Sequence, residues 1–203
     1  MNKRIVLASY PEGWVIESNF RLETAPVPKP GEGEVLVKNH WLSLDPYMRG
    51  RMSQQKSYVK GVEPGDVMSG ETAGEVVESK HPKFRTGDSV TVNAGWQLYS
   101  CAKGELLTKV DASKAPLSYF LGCLGMPGRT AYFGMKDILQ PKAGETVVVS
   151  AASGAVGSVV GQPHSLASWG STPASTTRRA SSSTICGPPA RRAWTRTSRT
   201  WAA

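Results

Sequence analysis

Between Ile5 and about Pro116 the apolar residues come in short runs separated by turn residues. Ile5-Val-Leu-Ala is a first strand. A stiff loop, Pro26-Val-Pro-Lys-Pro-Gly-Glu-Gly, feeds a second at Glu34-Val-Leu-Val-Lys-Asn, where Val35 and Val37 alternate with Leu36 and Lys38. Gly70-Glu-Thr-Ala-Gly-Glu-Val-Val-Glu-Ser reads as a third, its glycines allowing a bend. Gly87-Asp opens a turn into Ser89-Val-Thr-Val, and Gly95-Trp-Gln-Leu-Tyr-Ser continues the series. Short, closely spaced strands punctuated by glycine predict a small antiparallel barrel.

The period then changes. Residues 126–139 (Met-Pro-Gly-Arg-Thr-Ala-Tyr-Phe-Gly-Met-Lys-Asp-Ile-Leu) predict a helix, with Pro127 near its start, where the missing N–H costs nothing. Ala131, Met135, Ile138 and Leu139 share one face of it, and Gln140-Pro-Lys-Ala-Gly stops it. Residues 146–149 (Thr-Val-Val-Val) read as a strand buried on both faces. Small residues follow at Ala151, Ala152, Ser153, Gly154 and Gly157, and Val156, Val159 and Val160 suit the first turns of a helix. Strand, small-residue corner and helix start together form the opening of a dinucleotide-binding βαβ unit. A pyrophosphate must approach the backbone closely there, and the free N–H groups and dipole of the new helix favour an anion. The spacing Ala151-x-x-Gly154-x-x-Gly157 puts alanine in the first glycine place. A strand-to-helix corner that holds no ligand is the alternative.

A chain of 203 residues allows one large domain or one and a half small ones, and its 21 Gly and 14 Pro make it loop-rich. No apolar run approaches the roughly 18 residues of a membrane span, and the N-terminal run is too short for a signal peptide. Cys101, Cys123 and Cys186 are odd in number and widely spaced, which indicates neither a disulfide framework nor a zinc cluster; a cytoplasmic setting is expected. The net charge of +8 is uneven. Residues 163–203 hold six of the 24 Lys+Arg and none of the 16 Asp+Glu, leaving 18 against 16, or +2, for the rest. The basic character belongs to the tail.

Three segments stand in order along the chain: Ser43-Leu-Asp-Pro-Tyr-Met-Arg-Gly-Arg-Met, Gly122-Cys-Leu-Gly-Met-Pro-Gly-Arg-Thr-Ala-Tyr and Ala151-Ala-Ser-Gly-Ala-Val-Gly-Ser. Residues 1–162 resemble the zinc-independent medium-chain dehydrogenases/reductases. The branch is that of curcumin reductase, prostaglandin (leukotriene B4) reductase and plant alkenal double-bond reductases. The resemblance implies a mixed β and α/β fold: a GroES-like β-barrel over 1–120, a linker helix and first βα unit of a truncated Rossmann domain over 121–162, and an irregular or disordered tail over 163–203. It implies NADPH (NADP) as cofactor, contacted by Met126, Thr130, Ser153, Gly154, Ala155, Val156 and Gly157. It also implies reduction of the C=C bond of α,β-unsaturated ketones and aldehydes, and no metal. Asp45 stands near the place of a zinc-ligating Cys, Gly70 where a His precedes the Glu, and His40 and His81 have no ligand spacing. The family's dimers form through a sheet edge that this sequence does not match.

Without zinc, another group must meet the charge that develops on the carbonyl oxygen, and a tyrosine hydroxyl suits. Tyr47 and Tyr58 are the candidates, and the resemblance places both beside the substrate cleft. The alternatives are that Tyr47 packs under the Asp45-Pro46 turn and that Tyr58 is a loop aromatic. A further catalytic Tyr of the family and its 2′-phosphate-binding residues have no matching segment here.

After Gln162 the composition turns to Ser, Thr, Ala, Arg, Pro and Trp, with Leu166 and Ile185 the only branched aliphatics. Translation of a GC-rich gene in the wrong frame explains this. Reading the next frame through Trp169-Gly170 and Trp201-Ala202 must give Gly, and the free third bases permit segments like those of the same family. The other readings are a disordered basic tail or an Arg/Trp arm for nucleic acid. The expectation is an enone-reductase lineage in a chain that does not itself bind NADPH. The alternative is a GroES-like interaction module or non-catalytic fragment.

Overall fold

The computed structural model describes residues 1–54, 59–142 and 147–161, which fall into two units divided after Leu121. Everything read from 163 onward lies outside the described residues. The first unit carries strands β1 (Asn2–Leu7), β2 (Phe20–Ala25) and β3 (Glu34–Leu42), a short helix α1 (Tyr47–Arg51), then β4 (Glu71–Ser79), β5 (Ser89–Asn93), β6 (Tyr99–Lys103) and β7 (Thr108–Lys109). All pairings are antiparallel. β1 and β2 form a hairpin, and the other five make one sheet in the order β6-β3-β4-β5-β7.

Residues 96–98 stitch the hairpin to the larger sheet. The amide of Ile5 donates to Trp96 O at 2.8 Å and that of Leu98 to Lys3 O at 3.0 Å, while the Asn39 amide donates to Leu98 O at 2.8 Å. This corrects the strand expected from Gly95. Gly95 takes φ +77, so the run kinks: Trp96 serves β1, Leu98 bonds to both β1 and β3, and Tyr99 onward lies in register with β3. β1 begins at Asn2 because that buried side chain donates to Tyr99 O at 2.9 Å and accepts from the Tyr99 amide at 2.9 Å. β2 was not legible. Its pattern does not alternate cleanly, and it is held by its ladder to β1 and an Arg4–Glu23 ion pair of 2.8 Å.

Two apolar clusters fill the unit. Val35, Val37, Val76, Phe84, Val90, Val92 and Leu107 lie on one side of the five-stranded sheet, and Leu7, Met48, Met52, Val62 and Met68 gather under α1. Each such side chain stabilises by about 1.5–3 kcal/mol on burial, so the alternation of Val35 and Val37 is what commits β3 to the centre.

At the β5–β7 edge, Asp88 accepts from Lys109 Nζ at 2.7 Å and from the Arg85 amide at 2.9 Å. Lys109 first, then that amide, holds its carboxyl below the ordinary 3.8. A depressed carboxylate stabilises the fold above its unfolded pKa and loses that contribution as pH falls through the folded one. Asp88→Asn is therefore expected to lower Tm by the same few degrees at every pH above about 5. The gap should close below pH 4, as thermal melts across that range would show.

The second unit is sparser. Helix α2 (Met126–Phe133) runs on as a π-helical segment, Gly134–Leu139, and ends where Gln140 turns left-handed at φ +47. Ala131 and Met135 are buried as expected, but Ile138 is 60% exposed, because the wider π turn rotates it off the shared face. Val147–Val149 form no strand, and Val148 is 60% exposed; Thr146 lies outside the described residues. A parallel strand exists only through neighbours that satisfy its backbone and helices that cover its faces, and among the described residues nothing pairs with it. A four-residue helix, α3 (Gly157–Val160), forms where the sequence placed a helix start.

Candidate active site

β3 delivers the chain to a sharp corner. The Ser43 amide donates to Glu71 O at 2.9 Å, keeping the exit of β3 beside the start of β4. Asp45 and Pro46 then turn the chain: the Met48 amide donates to Asp45 O at 3.0 Å and that of Arg49 to Pro46 O at 3.1 Å. Pro46, with φ −56 and no N–H to satisfy, starts α1 without strain. The inner side of α1 drops Met48 and Met52 into the cluster with Leu7, Val62 and Met68. A Cβ at Gly70 would stand 2.8 Å from Leu42 Cδ1, 2.9 Å from Met48 Cε and 3.2 Å from Trp96 Cδ1. That position is glycine because three side chains converge on it.

Tyr47 packs at the margin of this cluster, half-buried. Burial first, then the carboxylates of Asp45 and Glu71, raise its phenol above the ordinary 10.0; Arg51 and a hydrogen bond with the Glu71 backbone work the other way. At neutral pH the hydroxyl keeps its proton and is a donor. The ring thus packs on the apolar cluster while the hydroxyl keeps its proton. Tyr58, the second candidate, lies outside the described residues.

Two arginines of α1 strap neighbouring segments. Arg49 Nη2 donates to Gly13 O at 3.0 Å and Pro11 O at 3.4 Å. The Arg51 guanidinium lies 5.7 Å from the centre of the Tyr47 ring, and its Nη1 donates to Val59 O at 3.0 Å. An open cleft of about 670 Å³ runs along this side, with Tyr10, Arg49, Met52 and Ser53 in its walls. Sequence reasoning missed both arginines. For Arg51 the signal was its i, i+4 spacing from Tyr47, which counts only once a helix is expected there, and none was read between Asp45-Pro46 and Gly70.

No group of three or more His, Cys, Asp or Glu gathers as a metal site among the described residues. His40 stands 3.9 Å from Glu75 on the outside of the sheet. His81 sits 3.6 Å from Glu105, its ring against Gly104 and 5.5 Å from Phe84, in a packing role.

In the second unit, Met126 opens α2, and Thr130 Oγ1 donates back to Met126 O at 2.8 Å. A Cβ at Gly128 would strike the Cys123 carbonyl, which explains that glycine. Ser153, Gly154, Ala155 and Val156 form the turn ahead of α3, and Gly157 is that helix's first residue. A Cβ on Gly157 would meet Ala151 O, so the turn closes only with glycine there. Ala151, in the first place of the motif, takes φ +50, a conformation that glycine adopts more easily. The residue types suit a pyrophosphate, since Ser153 and Ala155 are exposed and carry short side chains. The backbone, however, is turned on itself: the Gly154 amide donates to Ala151 O and the Ser158 amide to Gly154 O, both at 2.8 Å.

Comparison with known proteins gives concordant matches. Residues 3–110 match the family model described as the N-terminal domain of oxidoreductase. The NADPH-dependent curcumin reductase of Escherichia coli (strain K12) is 53% identical over 161 residues, covering 79% of this chain and 47% of that protein. The NADP(+)-dependent 2-alkenal reductase of Nicotiana tabacum is 45% identical over 166 residues, covering 79% of this chain and 48% of that protein. Among solved structures, CurA of Vibrio vulnificus in complex with NADPH superposes with a TM-score of 0.77 at 46% identity, over 83% of this chain and 50% of that one. The chain spans about half the length of the curated relatives it matches.

Proposed function

Since the chain belongs to the oxidoreductase family whose N-terminal domain it matches over residues 3–110, in the zinc-independent medium-chain dehydrogenase/reductase branch, we propose that its site serves the NADPH-dependent reduction of the C=C bond of α,β-unsaturated ketones and aldehydes. The observation that carries this is Tyr47, a phenol at the start of α1 that burial and the carboxylates of Asp45 and Glu71 keep protonated at neutral pH. The names of the relatives support the cofactor and the substrate class. NADPH, when bound, would supply the hydride; Ser153, Gly154, Ala155, Val156 and Gly157 are the backbone that would face its pyrophosphate, and Met126 and Thr130 are the other residues that would contact it. As the β-carbon gains hydride, charge collects on the carbonyl oxygen. The Tyr47 hydroxyl donates to that oxygen and stabilises the enolate before water protonates the α-carbon. Tyr58 is the second donor of the proposal.

A second reading concerns the 203-residue chain as it stands, a module that does not hold NADPH. Its support is that Val147–Val149 form no strand and that the Gly154 amide is spent inside its own turn. One assay addresses both: NADPH oxidation with 3-nonen-2-one, comparing this chain with a chimera continued after Gln162 by the curcumin reductase sequence. Turnover in the chimera supports the reductase reading, and turnover in the chimera alone supports the second reading for this chain. No enone-dependent oxidation in either would sink the substrate class.

A further inference from the structure

We propose that Arg51 is a positioning residue that clamps the Tyr47 ring and ties it to the Val59–Val62 segment, so that the phenol is presented in one orientation. This rests on the reading of Tyr47 as the donor to the carbonyl oxygen. The two side chains are one helical turn apart on α1, with the guanidinium 5.7 Å from the ring centre. The same guanidinium donates to Val59 O at 3.0 Å, and the backbone carbonyl of Arg51 accepts from the Val62 amide at 2.8 Å. Gly61 is pressed into this junction, where a Cβ would lie 2.8 Å from Ser53 O and 3.1 Å from Arg51 O. Arg51 therefore fixes the returning segment at two points while lying against Tyr47. Arginine suits this double task. Its plane rests on an aromatic ring while its edge still donates, which a lysine ammonium does not match.

The electrostatics act in the same place. Asp45 and Glu71 face Tyr47 and hold its proton more tightly; Arg51 opposes them. Of the other charged groups nearby, Arg49 is engaged with the Pro11–Gly13 carbonyls, and Lys60 pairs with Glu63 at 2.8 Å. Tyr10 packs on the same apolar cluster. Among the described residues Arg51 is thus the cation that opposes the two carboxylates at the phenol, and its loss both frees the ring and removes that opposition. Without Arg51 the phenol would hold its proton still more tightly and be the weaker donor to a developing oxyanion.

The test uses the full 203-residue chain labelled with 13Cζ-tyrosine, its Tyr47 signal assigned by disappearance in Tyr47→Phe. In Arg51→Gln, the Tyr47 titration is expected to move to higher pH while the remaining tyrosines hold theirs, and Arg51→Lys, which keeps the charge but not the planar stack, is expected to restore only part of the shift. A Tyr47 titration unmoved in Arg51→Gln overturns the proposal. If that variant fails to fold, the parent chain decides. Arg51 side-chain protons should resonate upfield from the ring current and return to ordinary values in Tyr47→Leu; ordinary values in the parent overturn the clamp. Full enone reduction by Tyr47→Phe in the chimera would instead remove the donor role and leave the clamp standing.

Discussion

Tyr47→Phe is expected to lower kcat for enone reduction about 100-fold in the curcumin-reductase chimera, with KM nearly unchanged. Removing one preorganised donor to a developing oxyanion costs roughly 100- to 1000-fold in kcat, and the lower end applies because Tyr47 is only half-buried. Loss of kcat without loss of binding marks an interaction made mainly in the transition state. The ring, which supplies the packing against the Leu7 and Met48 cluster, stays, so Tm should change by no more than a degree or two. The raised phenol pKa adds a pH condition. Because the protonated form is the donor, no fall in rate from Tyr47 ionisation should appear below about pH 9. Steady-state kinetics of the two proteins with 3-nonen-2-one settle it. Equal kcat values would reduce Tyr47 to a packing residue.

Gly74→Ala is expected to cost about 3 kcal/mol of stability, roughly 10–20 °C in Tm for a unit of this size. Gly74 lies in the middle of β4 opposite Asn39, where the β3–β4 register shifts between Asn39 and Trp41. The shift brings the partner backbone inward, so a Cβ on Gly74 would strike the Lys38 carbonyl and sit 3.0 Å from Asn39 Cα. Backbone atoms in the middle of a ladder have no rotamer by which to move away. The strands must separate, and with them the Thr72 hydroxyl loses its bond to Asn39 Oδ1 at 3.0 Å. Gly50→Ala is the control, being in α1 with nothing within 4 Å of the new carbon. It should leave Tm unchanged or raise it slightly, since alanine is the better helix former. Thermal melts that drop equally for both variants would sink the argument.

How much was legible follows from what each element depends on. β3, β4 and β5 stood out because Val35, Val37, Val76, Val90 and Val92 bury one face of a sheet, and a half-buried strand writes its own period into the sequence. α2 was legible at its start, where Pro127 and the Ala131–Met135 pair set phase. β2 was not, since it depends on β1 for its hydrogen bonds more than on its own apolar residues. The short helix α1 was hidden by its length and by an Asp-Pro opening that reads equally as a turn.

The antiparallel first unit, the Ser43–Met52 motif and the small residues of the corner at 151–157 were legible in residue order, because each depends on side-chain type at fixed local spacing. Long-range contacts settled three further features. They bent the Gly95 run so that two strands share it, brought Arg51 onto Val59, and left Val147–Val149 without a strand. The reason is common to all three. A hydrogen bond or a ring contact needs a partner distant in sequence or across a turn, and no local pattern records whether that partner arrives.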